Sequence, residues 1–180
     1  MRGRGVAVVL AAVAVLAVWL AGRSAQDGAG GPGGPGEPDP GAGTTPATSA
    51  TLVAVTDGDT LRVRTVTGAE ERVRLVGIDT PEVHGDVECG GPEASALVAD
   101  LVRPGDALRL VADPTQDDTD RYDRLLRYVE TADGTDLGEA VLAAGWAEVY
   151  VFDTEPQRHG AYAAAQTAAR DGDRGIWGAC

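Results

Sequence analysis

The run Val73-Arg74-Leu75-Val76-Gly77-Ile78-Asp79-Thr80-Pro81-Glu82 places one guanidinium and two carboxylates where an alternating apolar pattern meets a proline-stiffened turn. Upstream, Thr56-Asp57-Gly58-Asp59-Thr60 supplies another acidic turn; downstream, Asp120-Arg121-Tyr122-Asp123-Arg124 supplies a second arginine. Carboxylate oxygens suit a hard divalent cation, and guanidinium groups suit phosphate oxygens. A phosphodiester resists hydrolysis because the nucleophile meets negative charge and the transition state gathers more, so a site for this reaction must supply cations. Asp59, Asp79 and Glu82 together outweigh Arg74 and Arg124 by one negative charge, and a bound dication would reverse the balance. The combination points to metal-assisted phosphodiester cleavage.

Two carboxylates with a backbone carbonyl select calcium or magnesium rather than zinc, and favour an ion that keeps several waters. Pro81 biases Thr80 toward extended backbone, which lets the turn present the Thr80 carbonyl beside Asp79. Glu82 could orient or deprotonate water, Arg74 and Arg124 suit a two-pronged phosphate grip, and Tyr122 could lie along the substrate rim. Singly, each feature has a duller reading. Acidic turns face solvent, Asp-Gly marks a hairpin, Arg74 could be as exposed as Arg72, Arg124 could merely pair with Asp120 or Asp123, and Glu82 could be a surface acid. The ordered set outweighs these separate readings.

These three segments, in this order, resemble the signature of the staphylococcal nuclease-like (thermonuclease) family over roughly residues 50 to 177. The resemblance implies an α+β fold, a five-stranded OB-fold β-barrel with about three helices, and a Ca2+-dependent nuclease leaving 3′-phosphates on DNA and RNA. It implies Asp59, Asp79 and the Thr80 carbonyl as calcium ligands, Glu82 as general base, and Arg74 and Arg124 as phosphate-gripping groups. The family places two tyrosines around the substrate where this chain has Tyr150 and Phe152. Tyr150 fits; Phe152 keeps a stacking face without the hydroxyl.

The surrounding pattern supplies elements to hold such a site. Thr51 to Thr56, Thr60 to Val66, Glu71 to Ile78, Asp106 to Ala112 and Leu126 to Glu130 read as strands, with Asp57-Gly58 as a hairpin turn. Pro92 opens a helix whose Ala94, Leu97, Val98, Leu101 and Val102 form one apolar stripe, ended by Pro104-Gly105. Asp136 caps a second helix, stopped by Gly145, and a third is expected from Glu155 to Arg170. The strands suggest a small antiparallel barrel of the oligonucleotide-binding type. Trp146 and Trp177, in apolar surroundings, are assigned to the core.

Residues 1–22 combine Arg2 and Arg4 with an apolar run from Val6 to Ala21, the layout of a signal peptide or an uncleaved signal anchor. In either case the rest of the chain is expected outside, secreted or surface-tethered, touching membrane only through that anchor. Residues 23–49, rich in Gly, Pro, Ala, Ser and Thr, read as a disordered tether, leaving 50–180 as one domain, expected to be monomeric. The 180-residue chain has a net charge of −13, and its 15 basic residues are all arginine. That balance disfavours a passive DNA-coating protein, whereas a hydrolase needs positive potential at only one phosphate. A non-catalytic barrel binding oligonucleotides or a protein partner is the alternative, and a calcium-responsive structural domain a third; the intact set of five charged groups argues against both.

Other candidates are weak. The acids from Asp113 to Asp123 lack the glutamate that would close a helix-loop-helix calcium loop, and His84 and His159 stand alone, without zinc or triad partners. The two cysteines, Cys89 and Cys180, are expected to pair in an exported protein, and two unpaired thiols are the alternative. A bridge would pin the C-terminus to the loop beyond the active turn and stabilise the fold by up to about 4 to 5 kcal/mol. Thiol titration of the denatured, unreduced protein should find no free thiol; two would reject the bridge.

Overall fold

A computed structural model describes residues 47–180. The segment assigned to a signal or anchor, and all of the tether except its last three residues, lie outside the described residues. The elements are β1 (Ala47–Val55), β2 (Thr60–Thr65), β3 (Glu70–Leu75), β4 (Ile78–Asp79), α1 (Gly91–Leu101), β5 (Ala107–Val111), β6 (Leu125–Glu130), α2 (Leu137–Ala144), β7 (Glu148–Val149), α3 (His159–Asp171) and α4 (Ile176–Ala179). Five of them close a barrel in the order β1-β2-β3-β6-β5.

Alternation along the strands fills the barrel. Leu52, Leu61, Val63, Val73, Leu75, Leu108, Leu110 and Val129 point inward and are nearly inaccessible, while Arg62, Arg64 and Arg72 face out. From α1, Ala94 and Val98 are fully buried, and from α2, Leu137, Val141 and Leu142. Asp136 caps α2 by accepting the Glu139 N–H at 3.2 Å, and Gly145 ends it in the left-handed region at φ 81°. Each fully buried Leu or Val is worth about 1.5–3 kcal/mol relative to exposure.

The structure departs from the sequence pattern in several places. The strand expected to run to Ile78 leaves the barrel after Leu75, because Gly77 turns the chain at φ 82°. Ile78 and Asp79 then pair with Val149 and Glu148 in a separate two-stranded sheet. The barrel is mixed rather than wholly antiparallel: β3 and β6 are parallel, with Val73 opposite Leu125 and Arg74 opposite Leu126. Ala47, Thr48 and Ser49, assigned to the tether, belong to β1 and pair with Val111, Leu110 and Arg109. The third helix begins at His159 rather than Glu155: Pro156 keeps Glu155 out of helical backbone, and the Gln157 and Arg158 N–H groups are tied to Asp113 and the Tyr128 hydroxyl. Trp146 packs against the core from a half-buried position, but Trp177 lies outside the core cluster, with the Arg170 guanidinium 4.6 Å from its ring.

A polar lock ties the barrel to the segment entering α3. Asp113, 4% exposed, accepts the Tyr128 hydroxyl, the Gln157 N–H at 2.7 Å and the Thr115 N–H at 2.8 Å. The first acid of the Asp113–Asp123 stretch is therefore a structural acceptor. Burial alone would raise the Asp113 pKa, but the hydrogen bonds from Tyr128, Thr115 and Gln157 outweigh it and hold the carboxyl below its ordinary value. The unfolded chain binds this proton more readily than the folded one. Its contribution to stability is thus present above the unfolded value of about 3.9 and is lost as pH falls through the lower folded value. In urea unfolding, Asp113→Asn should be less stable than wild type at pH 7, with the gap narrowing as pH falls below about 3.9; a gap that did not narrow would rule out this linkage.

Candidate active site

Asp59 sits at the end of the β1–β2 turn, 6% exposed. Its Oδ1 accepts the Thr60 hydroxyl at 2.9 Å, and its Oδ2 accepts both the backbone N–H and the hydroxyl of Thr80 at 3.1 Å. Gly58 permits this approach for steric reasons: a Cβ there would stand 2.7 Å from the Ala94 Cβ and 2.9 Å from Thr80. Asp57 accepts the Asp59 N–H at 3.1 Å. Burial, then the charge of Asp59, pushes the Asp57 carboxyl above its ordinary value.

Arg74, on the outer face of β3, is 13% exposed at its side chain and lies between two carboxylates. Its Nη2 is 2.6 Å from Asp79 Oδ1 and 3.1 Å from Asp59 Oδ2. Its Nη1 donates to the carbonyls of Leu75 at 3.0 Å and Ile78 at 2.7 Å. The second pair of bonds fixes the turn that carries Asp79 out of the barrel. Asp79 itself is 60% exposed at its side chain. Burial raises its pKa, Arg74 lowers it, and the charges of Asp59, Glu82 and Glu88 push it up, leaving it above the ordinary value.

Arg124 is held by an acid that the sequence offered only as a trivial partner. Asp120 accepts the N–H of Tyr122 at 2.9 Å and of Arg124 at 3.0 Å on Oδ1, and the Arg124 Nε–H at 2.6 Å on Oδ2. Asp123 takes left-handed backbone at φ 57° to close this loop. The opposite edge of the Arg124 guanidinium comes within 3.4 Å of the Thr60 hydroxyl. Burial would raise the Asp120 pKa, yet its bonds to Arg124 and Tyr122 hold it below the ordinary value. The Asx turn was the available signal.

Glu82 is exposed and hydrogen-bonds to neither Arg74 nor Asp79. Its backbone is clasped by Glu88, whose Oε2 accepts the Glu82 N–H at 3.0 Å and whose own N–H donates to the Glu82 carbonyl at 2.9 Å. Gly91 lies beneath, where a Cβ would stand 2.5 Å from the Glu82 carbonyl oxygen. Cys89, next in the chain, is bonded to Cys180. The role of Glu88 was not visible in the sequence.

A groove of about 770 Å³ collects the site: Asp59, Arg74, Asp79, Thr80, Glu82 and Arg124 line it, with Tyr122, Tyr150 and Phe152. The three aromatic residues are 52%, 44% and 80% exposed. Guanidinium groups of Arg121 and Arg124 lie 4.7 and 5.4 Å from the Tyr122 ring centre. His84 is exposed, and His159 faces Glu155 at 3.2 Å, outside the groove lining.

The donor chemistry fits a hard cation. Asp59 and Asp79 share one guanidinium, and the crowding of Asp79 by Asp59, Glu82 and Glu88 leaves negative charge for a cation to offset. Among the described residues, no three His, Cys, Asp or Glu side chains converge to enclose an ion. The ion would therefore take two carboxylates, a backbone carbonyl and water, as calcium and magnesium accept and structural zinc sites do not.

A sequence profile described as staphylococcal nuclease homologue matches residues 72–179. The chain is 33% identical over 135 residues to the succinoglycan biosynthesis protein ExoI of Rhizobium meliloti, covering 69% of this chain and 62% of that protein. It is 28% identical over 134 residues to endonuclease YhcR of Bacillus subtilis, covering 68% of this chain and 11% of the other. An uncharacterized endonuclease of Escherichia coli O157:H7 is 34% identical over 127 residues, covering 70% of this chain and 74% of that protein. The chain thus spans under two thirds of the first two relatives.

The two acids that share Arg74 should differ in what they give the fold. Asp59→Ala strands the Thr80 donors and part of a buried charge, and should cost about 3 kcal/mol in denaturant unfolding. Asp79→Ala removes a largely exposed partner and should cost less than about 1 kcal/mol. Equal losses would contradict the burial asymmetry.

Proposed function

Since the chain belongs to the staphylococcal nuclease homologue family, we propose that it is a Ca2+-dependent nuclease, secreted or surface-tethered, that hydrolyses phosphodiester bonds of DNA and RNA to 3′-phosphate products. The observation that carries this reading is the convergence of Arg74 and Arg124 with Asp59, Asp79 and Glu82 in one groove. The endonuclease relatives support the reaction class. The Cys89–Cys180 bridge suits an oxidising compartment outside the cytoplasm, in keeping with the apolar run at Val6 to Ala21.

Asp59, Asp79 and the Thr80 carbonyl would hold the cation. Ca2+ bound there supplies Lewis-acid polarisation of a non-bridging phosphate oxygen. The protein's own groups do the rest. Arg124, with its Nε edge on Asp120, turns its other edge to the phosphate. Arg74 has three hydrogen bonds committed, to the Leu75 and Ile78 carbonyls and to Asp79, with Asp59 in ion-pair contact, so it grips phosphate through its remaining N–H groups or by exchanging a carboxylate oxygen for a phosphate oxygen. Glu82 accepts a proton from water as the water oxygen bonds to phosphorus, and the bond to the 5′-oxygen breaks with that oxygen taking a proton from solvent to leave as a hydroxyl. Tyr122, Tyr150 and Phe152 offer faces for bases, each such contact being worth about 1–3 kcal/mol.

Purified protein should digest single-stranded DNA with calcium and stop in excess chelator. Glu82→Ser and Arg124→Gly should each lower kcat by at least about 100-fold while the chain stays folded. Cleavage unchanged by chelator would defeat the metal mechanism. Wild type that cleaves no better than either variant would instead favour a binding module.

A further inference from the structure

We propose that the outer face of β2 and β3 is a second phosphate-binding surface, on which Arg62 and Arg72 hold a polynucleotide strand beyond the bond being cleaved. This rests on the nuclease reading and deepens it, making the substrate a polymer rather than a short fragment.

The first observation is a like-charge pair. Arg62 and Arg72 stand directly opposite each other in the β2–β3 register, both exposed. Like charges in facing cross-strand positions are destabilising. The chain has 28 Asp and Glu residues, yet among the described residues no carboxylate lies within ion-pair distance of either guanidinium. Every other arginine on the barrel strands has a carboxylate partner: Arg64, Arg74, Arg109 and Arg127. A local conflict of this kind in an acid-rich protein marks a place where an external anion would relieve it.

The second observation is continuity with the groove. Arg72 and Arg74 share the outer face of β3, about 7 Å apart along the strand. Arg72 Nη2 donates to the Tyr122 carbonyl at 2.5 Å, joining this face to the loop that carries Arg124. At the far end Arg64 is neutralised by Glu70 at 2.5 Å, so the positive strip ends there and is two guanidinium groups long. The strand 2–3 face is also where barrels of this class bind oligonucleotides. A repeating anion leaving the groove is the ligand these charges fit.

The test compares salt dependence on two substrates, a single-stranded DNA of some thirty nucleotides and a dinucleotide, at fixed calcium and varied monovalent salt. Arg62→Gln is the main variant, because Arg72 also holds the Tyr122 loop. With the long strand, the slope of log kcat/KM against log salt should become shallower by about 0.7, through KM rather than kcat, and Arg62→Lys should restore it. Dinucleotide kinetics should change less than twofold, and the unfolding midpoint of Arg62→Gln should be equal to or above that of wild type. An unchanged slope on the long strand, or an equal loss on both substrates, would overturn the surface. Wild type that cleaves neither substrate would overturn the nuclease reading, and this one with it.

Discussion

A single guanidinium, that of Arg74, constrains the rest of the site. Its N–H groups donate to two carbonyls of its own turn and to Asp79, and it lies in ion-pair contact with Asp59 from a different part of the chain. A buried ion pair adds little net stability, because desolvation offsets most of the attraction, but losing one partner strands the other. Arg74 therefore acts less as a source of stability than as a specification. The β1–β2 turn, the exit from β3 and the Asp79 turn meet on this one guanidinium. The same low-dielectric position that makes the pairing demanding also strengthens any field it exerts on a phosphate.

The strands and helices were largely legible because their apolar periods are local: Leu61 and Val63 alternate with arginines, and Ala94 and Val98 repeat one helical turn apart. The parallel β3–β6 pairing and the β4–β7 sheet were not. Two-residue strands carry no period, and Ile78 opposite Val149 is a contact between distant segments. Gly58 was legible as a turn residue for an incomplete reason. Its backbone φ is not positive; what requires glycine is the closeness of Ala94 and Thr80. Trp177 misled because it is half-buried on α4, an element with no buried residue, and so lies outside the core cluster. The types of the site residues could be read from the chain, but the supports of Arg124 and Glu82, namely Asp120 and Glu88, emerged only with loop geometry.

The excess of acid is less uniform than a net charge of −13 suggests. Several carboxylates serve as internal ties. Arg158 bridges Glu130 and Asp136 at 2.5 Å each, Arg109 meets Glu130 from the neighbouring strand, and Tyr162 donates to Asp136. Burial would lower the Arg158 pKa, but its two acid partners drive it above its ordinary value, as a fixed cross-link requires. These ties fasten α3 to the barrel on a side that does not line the groove. Salt screens long-range repulsion between exposed charges over about 8–10 Å, so acids spent elsewhere bear only weakly on a phosphate held between arginines.

The charged groups of the groove are supported in ways that differ in stiffness, and the order matches the chemistry asked of each. Asp59 and Arg74 are buried and bound on several sides, as charges that must not move when a phosphate arrives. Arg124 is held by one Asx turn, with one edge anchored and the other presented. Glu82 is exposed, clasped through its backbone by Glu88 and, through Cys89, tied to Cys180. Ile176 closes over Gly90 beside that tie, where a Cβ would stand 2.6 Å from it. A carboxylate that takes a proton from water has to meet water, so it cannot be buried as Asp59 is. Fixing its backbone while leaving its side chain wet is the arrangement that reconciles the two demands.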